Sequence, residues 1–387
     1  MNILLLGEYS RLHNSLKEGL VSLGHNVILA AGKDRFKNFP NDICFEPKLT
    51  QIKVIYYIHK LLVKLRIINI QKLETALRFY FFIINEKKYD HIQFINSDFL
   101  KTYPFLSKYL YKIVFKKSDT RSLLVCGDET PIVKFQLKEK NFYSVHTPYL
   151  EDKKLKNIYS FSLKYQKKCY EKTFNMLLKH CQTLITSDLD YEIPMKKMGY
   201  STNFIPNPIN TDKITVENSD CGDKIIIFLG VNKLNHIKKG IPFFLKALEL
   251  IENKYYDKVE VIITENIPYT EYITLYNNAH ILLDQVYSYD QGYNALEAMA
   301  KGKVVFTGAE EEWRDYYNIK ENKVVINAKP NVENIYKNLE FLIKNPEKLT
   351  EIGNSARLFI EMHHNYIDIA QKYIDAWTQK TIEPKIF

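Results

Sequence analysis

Glycine, cysteine motifs and long apolar runs are all scarce in this sequence. Only 13 of its 387 residues are glycine, about half the usual ~7%, which excludes collagen-like and glycine-rich low-complexity architectures. Five cysteines are scattered along the chain with no C-x-x-C pair: Cys44, Cys126, Cys169, Cys181 and Cys221. We therefore expect reduced, unbridged thiols and no zinc site.

Apolar segments are also too short for a membrane span. The longest of them, such as residues 77–85, fall far below the ~20 residues that cross a bilayer. The chain opens directly on an apolar run at residues 3–6, with no basic segment before it and no small-residue cleavage site. This start predicts a first strand rather than a signal peptide, and we expect a cytoplasmic protein.

The composition is that of a folded protein with more than one core. Hydrophobic residues make up 46% and charged residues 26%, both near the globular average, which excludes disordered and fibrous chains. At about 150 residues per domain, the length favours two domains.

The net charge of +9 comes from one region. Residues 101–180 contain 17 basic and 7 acidic residues, a surplus of ten. Aromatic residues are interleaved there: Tyr109, Tyr111, Phe115, Tyr159, Phe161 and Tyr165. This pattern is expected of a helix face resting on anionic lipid headgroups. Nucleic acid is the rival partner for such a region, and a solvated lysine-rich surface is the alternative without a partner; we do not expect nucleic acid.

The N-terminal half alternates short apolar runs with helical patterns. The predicted strands are residues 3–7, 27–31, 92–95, 123–126 and 183–186. Each run leads into polar residues that can open a loop or a helix, which predicts a parallel sheet wrapped by helices. We predict a domain over 1–205 on this basis.

A second such series follows a proline-containing linker. Two prolines lie within residues 205–210, and the polar stretch to residue 223 has little periodicity, so we place a hinge at 206–223. The predicted strands beyond it are residues 224–230, 259–264, 280–283, 304–307 and 324–326. A second domain is predicted over 224–365, with a helix at 366–387 that can pack back on the first domain. Two open parallel sheets leave a ligand cleft at the carboxyl ends of their strands.

The segment 283–306 carries the most chemical information. It reads as a strand, a polar loop, a short helix, a glycine that ends the helix, and another strand. Loop amides and the positive end of the helix form an anion site suited to a diphosphate, with Gly292, Tyr293 and Asn294 as candidate contacts. Glu297 can accept hydrogen bonds from the two hydroxyls of a ribose. The alternative is that Glu297 only complements the helix dipole.

A second segment, residues 228–242, ends a strand at Gly230 and places lysines before the next helix. Lys233 and Lys239 are candidates for binding a diphosphate, because a compact ammonium stabilises the charge that grows as this group leaves. Solvated surface lysines are the alternative.

These two segments resemble the nucleotide-sugar site of retaining glycosyltransferases with the GT-B fold, of the group 1 or family 4 type. The resemblance continues in the same order through Ser187, residues 205–210 and residues 352–357. It covers nearly the whole chain, closely over 224–375 and weakly over 35–180. It implies two doubly wound, Rossmann-like α/β domains facing each other across a cleft.

The resemblance also implies roles for single residues. Glu297 matches the second acid of the family's E-x7-E motif, which holds the donor ribose, and Lys239 matches the lysine on the diphosphate. Gly7 matches the glycine of the first loop, which faces the donor phosphates. The first acid of the motif falls on Tyr289, and Asp290 is one residue late, so Asp290 replaces that acid only if the loop shifts.

Two further features bear on the site. The family's arginine after the strand glycine is absent, because Val231 follows Gly230, which leaves Lys233 as the nearest cation. The histidine that the family places at the end of an N-domain strand has two candidates. Asp128 has the expected position along the chain, and His146 has the expected residue type.

Several weaker patterns were compared with simpler interpretations. Asp188 and Asp190 form a D-x-D pattern after a strand, but we interpret Ser187 as a helix N-cap with both acids in the first turn rather than as metal ligands. No dinucleotide, Walker or nucleophile-elbow motif occurs.

The sequence thus predicts a transferase that moves a sugar from a nucleotide diphosphate to a hydroxyl, with retention and without metal or cofactor. The expected acceptor is a bacterial surface glycan or lipid-linked glycan, as in polysaccharide or lipopolysaccharide synthesis, at the inner face of the plasma membrane. A nucleotide-sugar 2-epimerase and a non-catalytic nucleotide- or glycan-binding protein remain the alternatives.

Overall fold

The protein folds around two parallel β-sheets. The computed structural model describes residues 1–32, 39–216, 222–265, 267 and 269–378. Every strand pair within this part of the chain is parallel. Each sheet is built from apolar runs whose two faces are both covered by helices, as parallel sheets require.

The N-terminal sheet contains the first seven strands: β1 Asn2–Leu6, β2 Asn26–Ala31, β3 Ile43–Cys44, β4 His91–Phe94, β5 Arg121–Val125, β6 Thr183–Thr186 and β7 Asn203–Phe204. Their order in space is β3-β2-β1-β4-β5-β6-β7. The strand order reverses between β1 and β4, and this is where open α/β sheets form a crevice.

The helices of this half connect the strands: α1 Leu12–Ser22, α2 Lys53–Lys64, α3 Ile70–Asn85, α4 Pro104–Phe115, α5 Thr130–Lys138, α6 Thr147–Glu151, α7 Ser160–Leu163, α8 Lys168–His180 and α9 Leu189–Lys197. Leu4 and Leu5 of the central strand β1 are fully buried, because helices lie on both sides of it.

The C-terminal sheet has the order β12-β11-β10-β8-β9. Its strands are β8 Ile225–Val231, β9 Val259–Glu265, β10 Ile281–Leu283, β11 Val304–Thr307 and β12 Ile326–Asn327. Its helices are α10 Ile241–Tyr255, α11 Tyr269–Asn278, α12 Tyr293–Ala300, α13 Glu311–Tyr317, α14 Val332–Lys344, α15 Glu347–His363 and α16 Tyr366–Thr378.

The expected fold class, two doubly wound parallel sheets, is confirmed. Predicted strands overlap β1, β2, β4, β5 and β6 in the first half and β8 to β12 in the second. The strands β3 and β7, of two residues each, were not predicted.

The last helix returns to the N-terminal sheet. Trp377 of α16 stacks on His91 at 4.2 Å between ring centroids and donates its Nε1 hydrogen bond to Gln93 at 3.1 Å. The backbone carbonyl of Ala376 accepts from the Thr183 hydroxyl at 3.1 Å. Each sheet with its helices forms one lobe, the N-lobe or the C-lobe. The chain thus crosses between the two lobes once near residue 210 and again before α16. Residues 217–221 of the predicted hinge, with Cys221, and residues 379–387 lie outside the described part.

Two local expectations need correction. Asp188, not Ser187, is the N-cap of α9, because its carboxylate accepts from the backbone N–H of Asp190 at 2.7 Å. The aromatic pattern of residues 101–180 is not one exposed face, because Tyr111, Tyr159 and Tyr165 are buried core residues. These side chains pack in the core instead.

Among the described residues, no helix is long and apolar enough to span a membrane. The four cysteines of the described chain are free thiols: Cys44, Cys126, Cys169 and Cys181.

Candidate functional site

The carboxyl ends of the two sheets face each other. Residues that follow β1, β5 and β6 contact residues that follow β8 and β10, as three pairs show: Arg11 with Glu297, Ser162 with Lys238, and Leu189 with Asp290. A cleft between two parallel sheets at this edge is where ligands of such folds bind.

Glu297 lies on α12 at this cleft. Its side chain is 33% exposed, and its Oε1 lies 3.9 Å from Nη1 of Arg11 in the opposite lobe. The carboxylate is therefore neither inside a packed interior nor turned away from the opening between the lobes. It can still accept hydrogen bonds from a ligand that enters from solvent.

Short contacts fix the far end of α12. Gly302 ends the helix with a φ of +78°, and the backbone of Gly353 packs so closely on it that a Cβ at Gly353 would lie 2.0 Å from the Gly302 carbonyl oxygen. Arg357 donates from Nη1 to the carbonyl oxygen of Ala300 at 2.7 Å. The glycine and the arginine of segment 352–357 therefore hold the helix that carries Glu297.

The loop after β1 presents Arg11 in a strained conformation. Gly7, Ser10 and Arg11 all have positive φ, of 88°, 52° and 77°, a conformation that costs a non-glycine residue of order 1–3 kcal/mol. Gly7 is buried, and a Cβ there would lie 2.6 Å from Cγ2 of Ile95. Gly7 thus permits the turn and its close packing, while Arg11 presents its charge to the cleft.

Lys239 is held by a buried carboxylate. Its Nζ lies 2.7 Å from Oδ1 of Asp284, whose side chain is only 1% exposed, whereas that of Lys239 is 32% exposed. Asn294 donates to the same oxygen at 3.2 Å. Asp284 directly follows β10, so this strand end orients the lysine and fixes the first turn of α12.

The turn that contains Lys239 is itself pinned to the loop after β10. Val286 donates its backbone N–H to the carbonyl oxygen of Lys239 at 3.0 Å. Gly240 has a φ of +69°, and a Cβ there would lie 2.2 Å from Cγ2 of Val286. The Lys239-Gly240 pair therefore needs glycine at its second position for both conformation and space.

The two N-lobe candidates lie side by side. Asp128 Oδ1 is 3.9 Å from His146 Nε2, and Asp128 Oδ2 accepts from the Ser162 hydroxyl at 2.5 Å. Lys238 of the other lobe donates to that hydroxyl at 2.9 Å. Position and residue type thus pointed to two members of one cluster at the cleft.

His146 is neutral at neutral pH. Burial lowers its pKa from 6.5 to about 4. Its Nδ1 lies 2.8 Å from the amide oxygen of Gln136, so Nδ1 carries the proton. Its Nε2 is buried without a hydrogen-bond partner. A neutral imidazole of this kind has its hydrogen-bond acceptor at Nε2, but the side chain is 0% exposed, so a substrate hydroxyl reaches it only if neighbouring side chains move.

The remaining candidates have different surroundings. Lys233 is 66% exposed and pairs with Glu265 at 2.5 Å, at the end of edge strand β9. Gly230 lies in β8, where a Cβ would be 2.8 Å from Cε2 of Tyr272. Gly292 is the N-cap of α12 in an extended conformation, and a Cβ there would lie 3.8 Å from Oδ2 of Asp284, so Gly292 adjoins the Lys239–Asp284 pair.

Two tyrosines of the loop serve contact between the lobes. Tyr293 is buried, and its hydroxyl donates to Pro208 of the linker while lying 2.5 Å from the Ser15 hydroxyl of α1. Tyr289, which occupies the position of the first acid of the motif, stacks on Phe142 at 4.4 Å between ring centroids. Neither side chain is presented to the cleft as an acid would be.

Asp290 also lies at this contact between the two lobes. Its carboxylate accepts from the backbone N–H of Leu189 at 3.0 Å and from that of Gln291 at 2.7 Å. In the other direction, Asp190 of α9 accepts from the backbone N–H of Tyr289 at 2.9 Å. Burial, together with the nearby Asp190 charge, raises the pKa of Asp290 to about 7. The D-x-D segment thus joins the lobes.

Sequence reasoning missed four residues of this site. They are Arg11, Asp284, Ser162 and Lys238. Asp284 could have been identified from the sequence, because it is the polar residue immediately after a buried strand. The other three carry none, since their partners lie on the opposite lobe and are not close in sequence. Among the described residues, no group of histidine, cysteine or acidic side chains is arranged to hold a metal ion.

Comparison with known proteins supports this architecture. Residues 238–375 match a family model described as "Glycosyl transferase-like". A search of curated proteins found no match.

Three solved structures are similar over nearly the whole chain. Sucrose-phosphate synthase from Thermosynechococcus elongatus has 13% identity and a TM-score of 0.62, with 98% of this chain and 99% of that chain covered. Alr3699/HepE of Anabaena, solved in complex with UDP, has 11% identity and a TM-score of 0.56, with coverage of 98% and 100%. A putative UDP-N-acetylglucosamine 2-epimerase from Listeria monocytogenes has 12% identity and a TM-score of 0.52, with coverage of 100% and 98%.

At these identities the structural similarity establishes the fold alone. The chain has the two-lobed GT-B fold, and its C-terminal region matches a glycosyltransferase-like family.

Proposed function

We propose that this protein transfers a sugar from a nucleoside diphosphate donor to a hydroxyl of a glycan or lipid-linked glycan, with retention of configuration and without a metal ion. The pathway we propose is the synthesis of bacterial surface polysaccharide or lipopolysaccharide, on the cytoplasmic side of the cell envelope.

The observation that carries the proposal is the placement of Glu297. Its partly exposed carboxylate lies on the first turns of a helix at the carboxyl edge of the sheet, opposite Arg11. A carboxylate that accepts hydrogen bonds from two vicinal hydroxyls, beside helix amides that hold phosphate, fits a nucleotide. The "Glycosyl transferase-like" match over residues 238–375 contains this helix.

Charge on the leaving diphosphate is balanced by protein cations in this proposal. Lys239 has three donors on its ammonium, so it can keep its contact with Asp284 and still contact a phosphate. Arg11 supplies a fork of donors from the other lobe. Such groups stabilise the transition state because they are in place before charge develops, and closure of the lobes excludes water that would hydrolyse the donor.

On the acceptor side, Asp128 and His146 lie where the reacting sugar would meet the N-lobe. In this proposal Asp128, whose side chain is 19% exposed, accepts a hydrogen bond from an acceptor hydroxyl. The buried imidazole beside it accepts from a second hydroxyl at Nε2 once the substrate displaces the neighbouring side chains. Removing either group is expected to slow turnover while nucleotide binding is kept, because neither belongs to the proposed nucleotide contacts Glu297, Lys239 and Arg11.

The first test is a thermal-shift screen of UDP-, GDP- and other nucleotide sugars, because a ligand that binds only the folded state raises the melting temperature. The donor so identified is then incubated with glycan acceptors in chelator, and the anomeric configuration of the product is read by NMR. Transfer with retention in chelator supports the proposal. Transfer that is inverting or that depends on added metal contradicts that part of it.

Two alternatives are separated by the same samples. The similarity to the Listeria epimerase structure extends over the whole chain, so a 2-epimerase is the first alternative, and it would interconvert donor sugars with no acceptor present. A non-catalytic binding protein is the second, motivated by Tyr289 in place of an acid. It would bind nucleotide tightly and release no sugar with any acceptor.

A further inference from the structure

A surface outside the cleft is unusually apolar. Helix α2 and the residues around it expose nine large apolar side chains, each at least 43% accessible: Ile52, Val54, Tyr56, Tyr57, Ile58, Leu61, Val63, Leu65 and Ile67. No residue of α2 is buried. A soluble helix normally buries one apolar stripe, so this helix is built to contact something other than its own core.

The next helix continues the pattern. Helix α3 buries Phe79 and Ile83 on its inner face, while its outer face exposes a stripe at helical spacing: Leu73, Leu77, Phe81 and Ile84. Exposed apolar patches of this extent mark interaction sites. We define the docking surface as residues 49–67 together with this stripe of α3.

The charge around this surface has one sign. Residues 48–85 contain seven basic residues and a single acidic one, Glu74. Glu74 is buried and lies 2.7 Å from Nε of Arg78, so it adds no negative charge to the surface. Lys53, Lys60 and Lys64 of α2 are exposed among the apolar side chains. The complementary partner is therefore negatively charged at its surface and apolar beneath.

We propose that this surface docks on an anionic lipid bilayer, with the apolar side chains of α2 inserted between headgroups and its lysines on lipid phosphates. An interfacial helix combines these same features. A second copy of the chain fits poorly, because a symmetric contact would bring the same basic residues face to face. The inference rests on these residues alone and does not depend on the proposed reaction.

The docking surface leads in the chain to a pocket of the N-lobe. A pocket of about 220 Å³ in the N-lobe is lined by Asn69, Gln71, Lys72 and Thr75 from the start of α3, and by Lys101 after β4. This wall follows α2 directly in the chain. The lining carries both signs of charge, because Glu8 and Glu46 join its two lysines.

Co-sedimentation of the full chain with vesicles tests the proposal. We expect binding to phosphatidylcholine vesicles that contain phosphatidylglycerol, little binding to phosphatidylcholine alone, and release at high salt. The variant Tyr57→Ser/Leu61→Ser should weaken binding by roughly tenfold or more, because it removes two inserted side chains.

A matched control separates docking through α2 from nonspecific binding of exposed apolar side chains to the vesicles. Leu358 is as exposed as Leu61, at 57% against 56%, and Tyr256 is 73% exposed, so Tyr256→Ser/Leu358→Ser removes the same side-chain types from the other lobe. This control should bind like the wild type. The proposal is overturned if the wild type stays in the supernatant at low salt, if both double variants lose binding equally, or if the wild type is a dimer in solution that only the α2 variant disrupts.

Discussion

The ion pair between Lys239 and Asp284 gives the sharpest test of how the donor site is built. Replacing Lys239 by Met keeps the length of the side chain but removes its ammonium. It leaves the carboxylate of Asp284, 1% exposed, without its cation. The second variant, Lys239→Met/Asp284→Asn, removes both charges and leaves a neutral amide beside Asn294.

The structure sets the expected size of the effect. Breaking a fully buried pair on one side costs about 3–5 kcal/mol. Here Lys239 is partly exposed and Asn294 still donates to Asp284 at 3.2 Å, which lowers the expected cost to about 2 kcal/mol. For a lobe of this size that corresponds to a fall in melting temperature of about 4–8 °C. The double variant should recover at least half of this loss.

The assay combines thermal melting with calorimetric binding of the nucleotide found in the donor screen. Both variants should bind nucleotide more weakly than the wild type by about tenfold or more, because each lacks the ammonium. Recovery of stability without recovery of binding identifies Lys239 as a ligand-contacting residue. The reasoning is wrong if Lys239→Met melts like the wild type, or if the double variant regains nucleotide binding along with stability.

Three further expectations concern the lobes and their loops. Arg11→Ala and Arg11→Gly should both weaken nucleotide binding, yet the glycine variant should be more stable by about 1 kcal/mol because φ is 77° there; equal melting temperatures would contradict the strain. Gly240→Ala should destabilise the protein more than Gly24→Ala, because both positions have positive φ but only a Cβ at Gly240 meets a close neighbour; equal losses in denaturant unfolding would contradict the clash. Because the folded pKa of Asp290 is about 7, well above its ordinary value, this group stabilises the fold most below pH 4 and loses that contribution as the pH rises through 7. The melting temperature of Asp290→Asn relative to wild type should therefore rise from pH 4 to 8, and a flat difference would show that Asp290 does not titrate in this range.

Much of the fold could be predicted from the sequence, because strands that are buried on both faces of a parallel sheet consist of uninterrupted runs of apolar residues. Residues 225–229 and 3–6 are such runs, and both lie in strands of the structure. The prediction failed where a strand was very short, or where the same residue pattern fits both a surface and a core. β3 and β7 have two residues each. Tyr111 and Tyr165 look the same in sequence whether they lie on a surface or in a core.

The site was predictable only within each lobe. Glu297 and Lys239 stand out because each follows a strand in a local pattern. Partners across the cleft, more than 70 positions away in sequence, determine the roles of Arg11, Ser162 and Lys238. Spacing placed the first acid of the motif on Tyr289 and left Asp290 as a replacement only if the loop shifts; in the structure the two oxygens of Asp290 accept backbone N–H groups at the lobe contact. The exposed face of α2 was missed because the sequence of its apolar residues does not show whether a core covers them.

The central claim is that the Glu297 carboxylate holds the ribose of a nucleotide donor at the cleft, and calorimetric titration of the identified nucleotide into Glu297→Gln tests it most directly. We expect the affinity to fall by about tenfold to a hundredfold, as for a lost hydrogen bond to a charged group, with an unchanged melting temperature, since the 3.9 Å contact with Arg11 is partly exposed and contributes little stability. Nucleotide affinity equal to that of the wild type would contradict the claim.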